Sequence, residues 1–502
     1  MQTIQLHLPQ RPNDTNNNDY RFLPFRFRRL MSGNILLTNV SGEYLVLPQD
    51  TFFDYTRKQL PTNSEAYKAL KATGFLTDSG SAHLEQLSSR FWTKKSFLCG
   101  FTKLHIFVLT LRCNCSCTYC QVTRQNEDTA GDYDMDEERA RKSVELMMQS
   151  PSPQVTVEFQ GGEPLLNFKV LKEIVLYSEK LNETKKKSIS YVVCTNLSLL
   201  TEEMLDFFEE HKVNISTSID GPASLHNSNR CRKIFSATHD IVTKNIKLAQ
   251  ERLGMESVSA LMTTTRDSLT QPEAIIDEYV RLGFRSIFIR ALNPYGYAIK
   301  TQKAIGYSTD EFVSFYKRAL NYLIDINKKG TYFSEAFATL LFRKILTPWP
   351  VGFVDLQSPT GNGFAVTVYN YDGDVYASDE SRMLYEMGDP KFRLGSALND
   401  TYEEIYFGEA MQTLASTGVA ECLAGCSECA FVPYCGADPV RHYATQHDAY
   451  GNRANSDFCR KNTKIFEYLF DILEKNDPKT QDIIWSWLRE APIEAIEIKE
   501  EQ

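Results

Sequence analysis

Thiols are the residues of this chain best suited by type and spacing to do chemistry. Four of its 12 cysteines lie in Cys113-Asn114-Cys115-Ser116-Cys117-Thr118-Tyr119-Cys120, where Cys113, Cys117 and Cys120 make a CxxxCxxC array. A 4Fe-4S cluster held by four cysteines has every iron saturated, whereas one held by three keeps an iron open to a ligand that is not protein. The competing chemistry is zinc, which CxxC pairs also bind but which needs a second pair of ligands nearby. The next cysteine, Cys194, stands far downstream inside an apolar run, so zinc here would require distant partners.

A second group, Cys422, Cys426, Cys429, Cys435 and Cys459, brings nine of the 12 cysteines into two clusters. Clustering of that kind points to metal, and at the second group spacing alone admits a four-cysteine zinc site as well as iron-sulfur. The N-terminus lacks the charged-then-apolar layout of a signal peptide, and no apolar run approaches the ~20 residues of a membrane span. A cytoplasmic location is expected, where thiols stay reduced and a disulfide framework is disfavoured. The net charge of −9 argues against nucleic acid as the main partner. At 502 residues, 42% apolar and 24% charged, the chain has room for two or three ordinary folded domains.

The elements that must position the first cysteines read as alternating strand and helix. Strands are expected near 103–111, 154–160, 188–195, 213–219, 256–264 and 285–291, with helices near 136–149, 168–183, 201–211, 237–252, 271–282 and 309–328. Six such units predict an α/β fold built as a partial (β/α)6 TIM-type barrel, whose active site belongs at the C-terminal strand ends. Unusual polar residues gather there: Gln160-Gly161-Gly162-Glu163-Pro164, Thr195-Asn196, Ser218-Ile219-Asp220-Gly221-Pro222, and Arg290-Ala291-Leu292. Paired glycines let backbone approach closely, a carboxylate accepts from an ammonium group, and Ser218 and Asp220 project to one side of an extended chain. For Arg290 a surface ion pair is an equally good explanation.

The CxxxCxxC loop with Tyr119 before its last cysteine, followed by four motifs in order at four strand ends, closely resembles the radical S-adenosylmethionine (SAM) enzymes. The resemblance implies that Cys113, Cys117 and Cys120 hold a 4Fe-4S cluster whose open iron chelates SAM, with Cys115 a bystander. It implies SAM contacts at Tyr119, Gln160, Gly161, Gly162, Glu163, Asn196, Ser218 and Leu292, with Asp220 supporting the loop. Leu197 stands where relatives often have glycine. The implied chemistry is reductive cleavage of SAM to a 5′-deoxyadenosyl radical that abstracts hydrogen from an unactivated carbon.

The downstream cysteines resemble the SPASM extension of radical SAM enzymes that modify peptides and proteins. Three cysteines of the usual pattern are replaced, by Ser378, Asp400 and Pro439, and all belong to one of its two auxiliary clusters. The resemblance therefore implies one auxiliary 4Fe-4S cluster on Cys426, Cys429, Cys435 and Cys459, with Cys422 a possible substitute ligand and Cys99, Cys194 and Cys231 idle. The segments Tyr20–Phe27, Gln121–Gln125 and Cys435–Pro439 are similar to the radical SAM maturases of His-Xaa-Ser peptide systems. A ribosomally made precursor peptide is the implied substrate, with a second radical SAM maturase and an electron donor such as flavodoxin or ferredoxin as partners. The rival readings are a sulfatase-maturase-like or other SPASM enzyme, and a non-catalytic metal-bound scaffold that presents the peptide to a partner enzyme. The expected organisation is a leader (1–18), a winged-helix-like peptide-recognition or capping domain (19–98), the radical SAM core (99–335), a SPASM-like domain (336–462), and a C-terminal helix with an acidic tail (463–502).

Overall fold

The computed structural model describes residues 20–78, 82–230 and 237–493; the expected leader, the acidic tail from Glu494 and Cys231 lie outside them. The chain forms two compact units, one ending at Trp92 and the other beginning at Thr93.

In the first unit β1 (Arg21–Phe22) is followed by β2 (Phe25–Arg29), β3 (Ile35–Asn39) and β4 (Tyr44–Leu47), and β5 (Leu76–Thr77) returns to pair with β1. Strands β2, β3 and β4 make an antiparallel sheet in that order. Asn39 fixes the turn: its side-chain oxygen accepts from Ser41 N at 3.0 Å and Glu43 N at 3.1 Å, and its amide donates to Thr73 O at 2.9 Å. Gly42 supplies the positive φ of 79° that the turn requires. Helices Gln49–Thr56 and Glu65–Ala72 close over a core of Tyr20, Leu37, Tyr55, Tyr67 and Phe75.

The second unit is built on one sheet. Its strands are β6 (Leu104–Val108), β7 (Arg112–Cys113), β8 (Gln125–Asn126), β9 (Gln154–Gln160), β10 (Ser188–Cys194), β11 (Val213–Ser218), β12 (Val258–Thr263), β13 (Ser286–Arg290), β14 (Ser334–Glu335), β15 (Val366–Tyr369), β16 (Asp374–Tyr376) and β17 (Arg393–Ser396). Ten of them run in the order β14-β13-β12-β11-β10-β9-β6-β15-β16-β17. Every pairing from β14 to β15 is parallel, and β16 and β17 complete the edge antiparallel. Crossover helices such as Phe168–Lys185 and His239–Leu253 bury their apolar faces on the sheet. Alternation along the strands separates the faces. On β9, Val155, Val157 and Phe159 are buried, while Glu158 and Gln160 line a cavity.

Two features differ from the sequence reading. The six expected strands gain a seventh core strand, β14, too short to carry a period. The run Val366–Tyr369, read with the downstream domain, lies parallel to β6 with Val368 opposite Ile106. One sheet therefore runs through the sequence boundary at 335/336. The terminal helix spans Asp457–Lys475, and Pro478–Arg489 adds another, burying Ile483, Ile484 and Trp487.

Candidate functional site

The cysteine loop is mounted between β7 and β8, which pair in parallel through Arg112↔Gln125 and Cys113↔Asn126. Arg112 pins its outer turn, donating Nε–H to Asp134 at 2.8 Å and Nη2–H to Gly131 O at 3.0 Å. The bend after β9 clasps its base, with Gly162 N donating to Thr110 O at 2.7 Å and Glu163 N to Arg112 O at 2.8 Å. A Cβ at Gly161 would come within 2.4 Å of Thr110 O, and one at Gly162 within 2.2 Å of Arg112 O. These glycines thus give room to the incoming chain of the cysteine loop while also lining the cavity beside it.

Cys113, Cys117 and Cys120 share the wall of a cavity of about 330 Å³ with Tyr119, Gln160, Gly161, Gly162, Asn196 and Ser218. Three other sequence-predicted residues stand outside its lining. Glu163 is buried, its carboxylate accepting from Thr195 Oγ1 at 2.6 Å, Asn196 N at 2.8 Å and Leu165 N at 3.1 Å. Asp220 is buried beneath Tyr119, whose hydroxyl donates to its carboxylate at 2.7 Å. Leu292 donates its backbone N–H to the Tyr307 hydroxyl at 2.8 Å, while its neighbours Ala291 and Asn293 face the cavity. Asn196 is oriented by donating to Asn114 Oδ1 at 2.9 Å.

Several contributors were not assigned from sequence. Arg230 lies 3.4 Å from Asp220 and places its guanidinium over the Tyr119 ring. Cys194, Ser216 and Glu158 line the same cavity, and the register Cys194↔Ser216 and Val192↔Glu158 explains the grouping. Asp379 also faces it and is held by Arg382, a fully buried guanidinium.

Burial pushes the Cys113, Cys117 and Cys120 thiols up, with Arg230 opposing the rise at Cys117. Desolvated thiols in one cavity ionise together only against a cationic centre. Arg124 Nε and Thr217 Oγ1 are buried, belong to residues of the lining, and make no hydrogen bond among the described residues. The donor set fits a three-cysteine iron-sulfur cluster with a polar, charged ligand beside it.

A second cavity of about 380 Å³ shares Glu158, Gln160, Leu261, Arg290 and Asp379 with the first. Its walls add Phe288, Phe312, Phe337 and Phe353, with Asp355, Glu380 and Lys461 as charged groups. Burial, then the nearby Asp355, Asp379 and Asp438, hold the Glu380 carboxyl well above the usual range. Arg290 Nη2 lies 3.9 Å from it.

The downstream cysteines form a separate site. Cys426 and Cys429 lie on one turn, with Cys429 N donating to Cys426 O at 2.9 Å. Cys459 sits in the first turn of helix Asp457–Lys475, its N–H donating to the Ser456 cap at 3.1 Å. Burial pushes the Cys435 thiol up to about 12, and Cys429, Cys426 and Cys459 add to it, so the four thiols lie within Coulombic reach of one another. Cys422 is exposed. Arg453 donates Nε–H to Cys426 Sγ at 2.8 Å and Asn462 reaches Cys435 Sγ at 3.8 Å. Four thiols with cationic and amide donors suit a saturated iron-sulfur cluster by their chemistry, while among the described residues no group of three or more His, Cys, Asp or Glu side chains is arranged to hold a single metal ion. The three positions lacking cysteine have structural roles instead. Ser378 caps a helix by accepting from Ser381 N, Asp400 accepts from Ser396 N at 2.7 Å, and Pro439 begins a helix.

Residues 107–279 match the Radical SAM superfamily. The chain is 24% identical over 373 residues to the cysteine-type anaerobic sulfatase-maturating enzyme of Clostridium perfringens (strain 13 / Type A), covering 72% of this chain and 94% of that protein. Its structure is similar to native anSMEcpe with bound AdoMet, with TM-score 0.60 and 19% identity over 74% of this chain and 100% of that one. It is also similar to Streptococcus suis SuiB bound to precursor peptide SuiA, with TM-score 0.53 and 13% identity over 88% and 99% of the two chains. The chain spans 38% and 64% of the length of two archaeal proteins that it also matches. Residues 107–279 thus match a radical SAM domain, and the α/β fold of the chain is shared with anSMEcpe and SuiB. Among the described residues no helix is long and apolar enough to cross a membrane.

Proposed function

We propose that this chain is a radical SAM enzyme that modifies a ribosomally made peptide or protein, with Cys113, Cys117 and Cys120 holding the radical-generating cluster. The observation that carries the reading is the cavity that these thiols share with Gln160, Asn196, Ser218 and Arg290 at the C-terminal ends of parallel strands. When bound, a three-cysteine cluster and SAM supply one-electron chemistry that removes hydrogen from an unactivated carbon.

The chain supplies position. Arg112 and the Gly161-Gly162 clasp hold the cysteine loop against β9, and Tyr119, Asp220 and Arg230 lock its far end. Arg124 and Thr217 offer unused donors to a polar ligand. Phe288, Phe337 and Phe353 give the adjoining chamber an apolar wall beside its charged groups, suited to the substrate residue. Glu380, whose carboxyl burial and then Asp355, Asp379 and Asp438 hold above the usual range, is the group there placed to exchange a proton with one entering beside it.

The finer reading is a His-Xaa-Ser peptide as substrate, supported by the motifs around Tyr20–Phe27 and Cys435–Pro439. A peptide substrate is also in keeping with the precursor peptide bound to SuiB. The second reading, a sulfatase-maturase-like activity, is favoured by the 94% coverage of the Clostridium perfringens enzyme. Cys426, Cys429, Cys435 and Cys459 would hold one auxiliary 4Fe-4S cluster, with flavodoxin or ferredoxin as electron source and the cytoplasm as compartment. Mass spectrometry on co-expressed peptides separates the two readings. A mass change on a His-Xaa-Ser peptide and none on a sulfatase-derived Cys peptide supports the first, and the reverse pattern sinks it.

A further inference from the structure

The polar groups around the second cysteine site are unusually directed at sulfur. Arg453 is half-buried and donates Nε–H to Cys426 Sγ at 2.8 Å, while its Nη1 donates to the His442 ring at 2.8 Å. A guanidinium can only donate, so the ring nitrogen it meets is an acceptor and His442 is neutral. That same ring nitrogen, Nε2, stands 3.2 Å from Ser456 Oγ, and Ser456 caps the helix turn that carries Cys459. A chain of contacts thus joins Cys426 to Cys459 through Arg453, His442 and Ser456. Its tightness is set at Gly451, where a Cβ would come within 2.5 Å of His442 Cγ.

On the Cys435 side Lys344 bonds the Leu356 carbonyl, and burial with the neighbouring Lys94 pushes its amine down to about 7, which leaves Arg453 as the fixed cation at the sulfurs. The neighbouring segment passes so close to Gly436 that a Cβ there would come within 2.5 Å of Asp355 O. Asn462 adds an amide donor toward Cys435 and also lines the apolar chamber.

We propose that Arg453 raises the reduction potential of the second cysteine site by stabilising the charge that its cluster gains on reduction. The proposal rests on the reading of that site as a four-cysteine 4Fe-4S cluster. Four thiolates around an oxidised core leave two net negative charges, and one electron adds a third with no bond made or broken. A cation or N–H donor at the sulfurs stabilises the more negative state, which raises the potential. In the enzyme the electron comes from the one-electron oxidation of a substrate radical, which loses a proton or gains a nucleophile to complete its valence. In the test it comes from dithionite. Arg453 is a positioning residue.

The test uses the full chain with Cys113, Cys117 and Cys120 changed to Ala, so that only the second site reports. After anaerobic reconstitution, iron and sulfide are counted and the cluster is titrated potentiometrically by electron paramagnetic resonance. Arg453→Met should keep its iron but lower the midpoint, with at least a roughly tenfold fall in the reduced-to-oxidised ratio at fixed potential, about 59 mV for one electron. Arg453→Lys should fall between. An iron-loaded Arg453→Met protein with an unchanged midpoint overturns the proposal and leaves the second cluster standing. If Arg453→Met does not load, Arg453→Gln, which keeps an N–H donor and loses the charge, decides: a lowered midpoint supports the proposal and an unchanged one overturns it. Zinc in place of iron in the parent protein removes the cluster and the proposal together.

Discussion

Tyr119, Asp220 and Arg230 form the tightest polar knot beside the cysteine loop. Asp220 is fully buried and accepts from the Tyr119 hydroxyl at 2.7 Å, while Arg230 supplies the compensating charge at 3.4 Å. Removing the carboxylate leaves a buried guanidinium without its counter-ion, which costs about 3–5 kcal/mol. Asp220→Ala should therefore lower the urea midpoint by that equivalent with an unchanged m-value and weaken cluster loading; an unaltered midpoint would show that the knot carries no load. At this scale the sequence was informative about identity and less so about role. The types and order of Cys113, Gly161, Glu163 and Asp220 were plain from spacing. That Gly161 and Gly162 make room for Thr110 and Arg112, and that Glu163 spends its acceptors on Thr195, Asn196 and Leu165, depends on side-chain packing that no spacing encodes. Leu197 is a case where spacing and structure meet. It stands where relatives often have glycine and keeps a positive φ of 59°, a conformation costing a non-glycine residue about 1–2 kcal/mol and offset by full burial of its side chain.

Element boundaries matched the periodicity closely where it was strong, as in the helix Thr309–Lys328 with its Ser308–Glu311 capping box. They failed where pairing is long-range. Nothing in Val366–Tyr369 announces β6 as its partner, because four apolar residues suit any open edge. The lumen set of Glu158, Cys194 and Ser216 was likewise hidden, since alternation assigns a face only after register is known. The pairing of β15 with β6 makes the barrel core dependent on residues beyond 335. A chain truncated after Glu335 exposes the β6 edge and the apolar positions Ile106 and Val108, so it should aggregate and lack a cooperative thermal transition. A soluble, cooperatively melting fragment would instead support an independent 99–335 core.

At the scale of the molecule, one buried histidine gives a pH dependence. His105 is fully buried between the Tyr369 hydroxyl and Thr102 O, each at 3.1 Å, and burial lowers its pKa from 6.5 to about 3. The folded ring refuses a proton that the unfolded ring takes up, so its contribution is present above about pH 6.5 and is lost as pH falls toward 3. Stability should fall on acidification by up to about 1.4 kcal/mol per pH unit from this ring, and His105→Gln should flatten that limb by one proton in urea titrations between pH 6.5 and 4; an identical slope contradicts it. The central claim concerns the cavity that joins the cysteine loop to four strand ends. Its most direct test is anaerobic SAM cleavage by the reconstituted full chain under dithionite, with 5′-deoxyadenosine quantified against the Cys113, Cys117, Cys120 triple-alanine variant. The account predicts cleavage by the native chain with about eight irons bound, and loss of cleavage with about four irons kept in the variant. No 5′-deoxyadenosine above background from the native chain, or cleavage that survives in the variant, would contradict it.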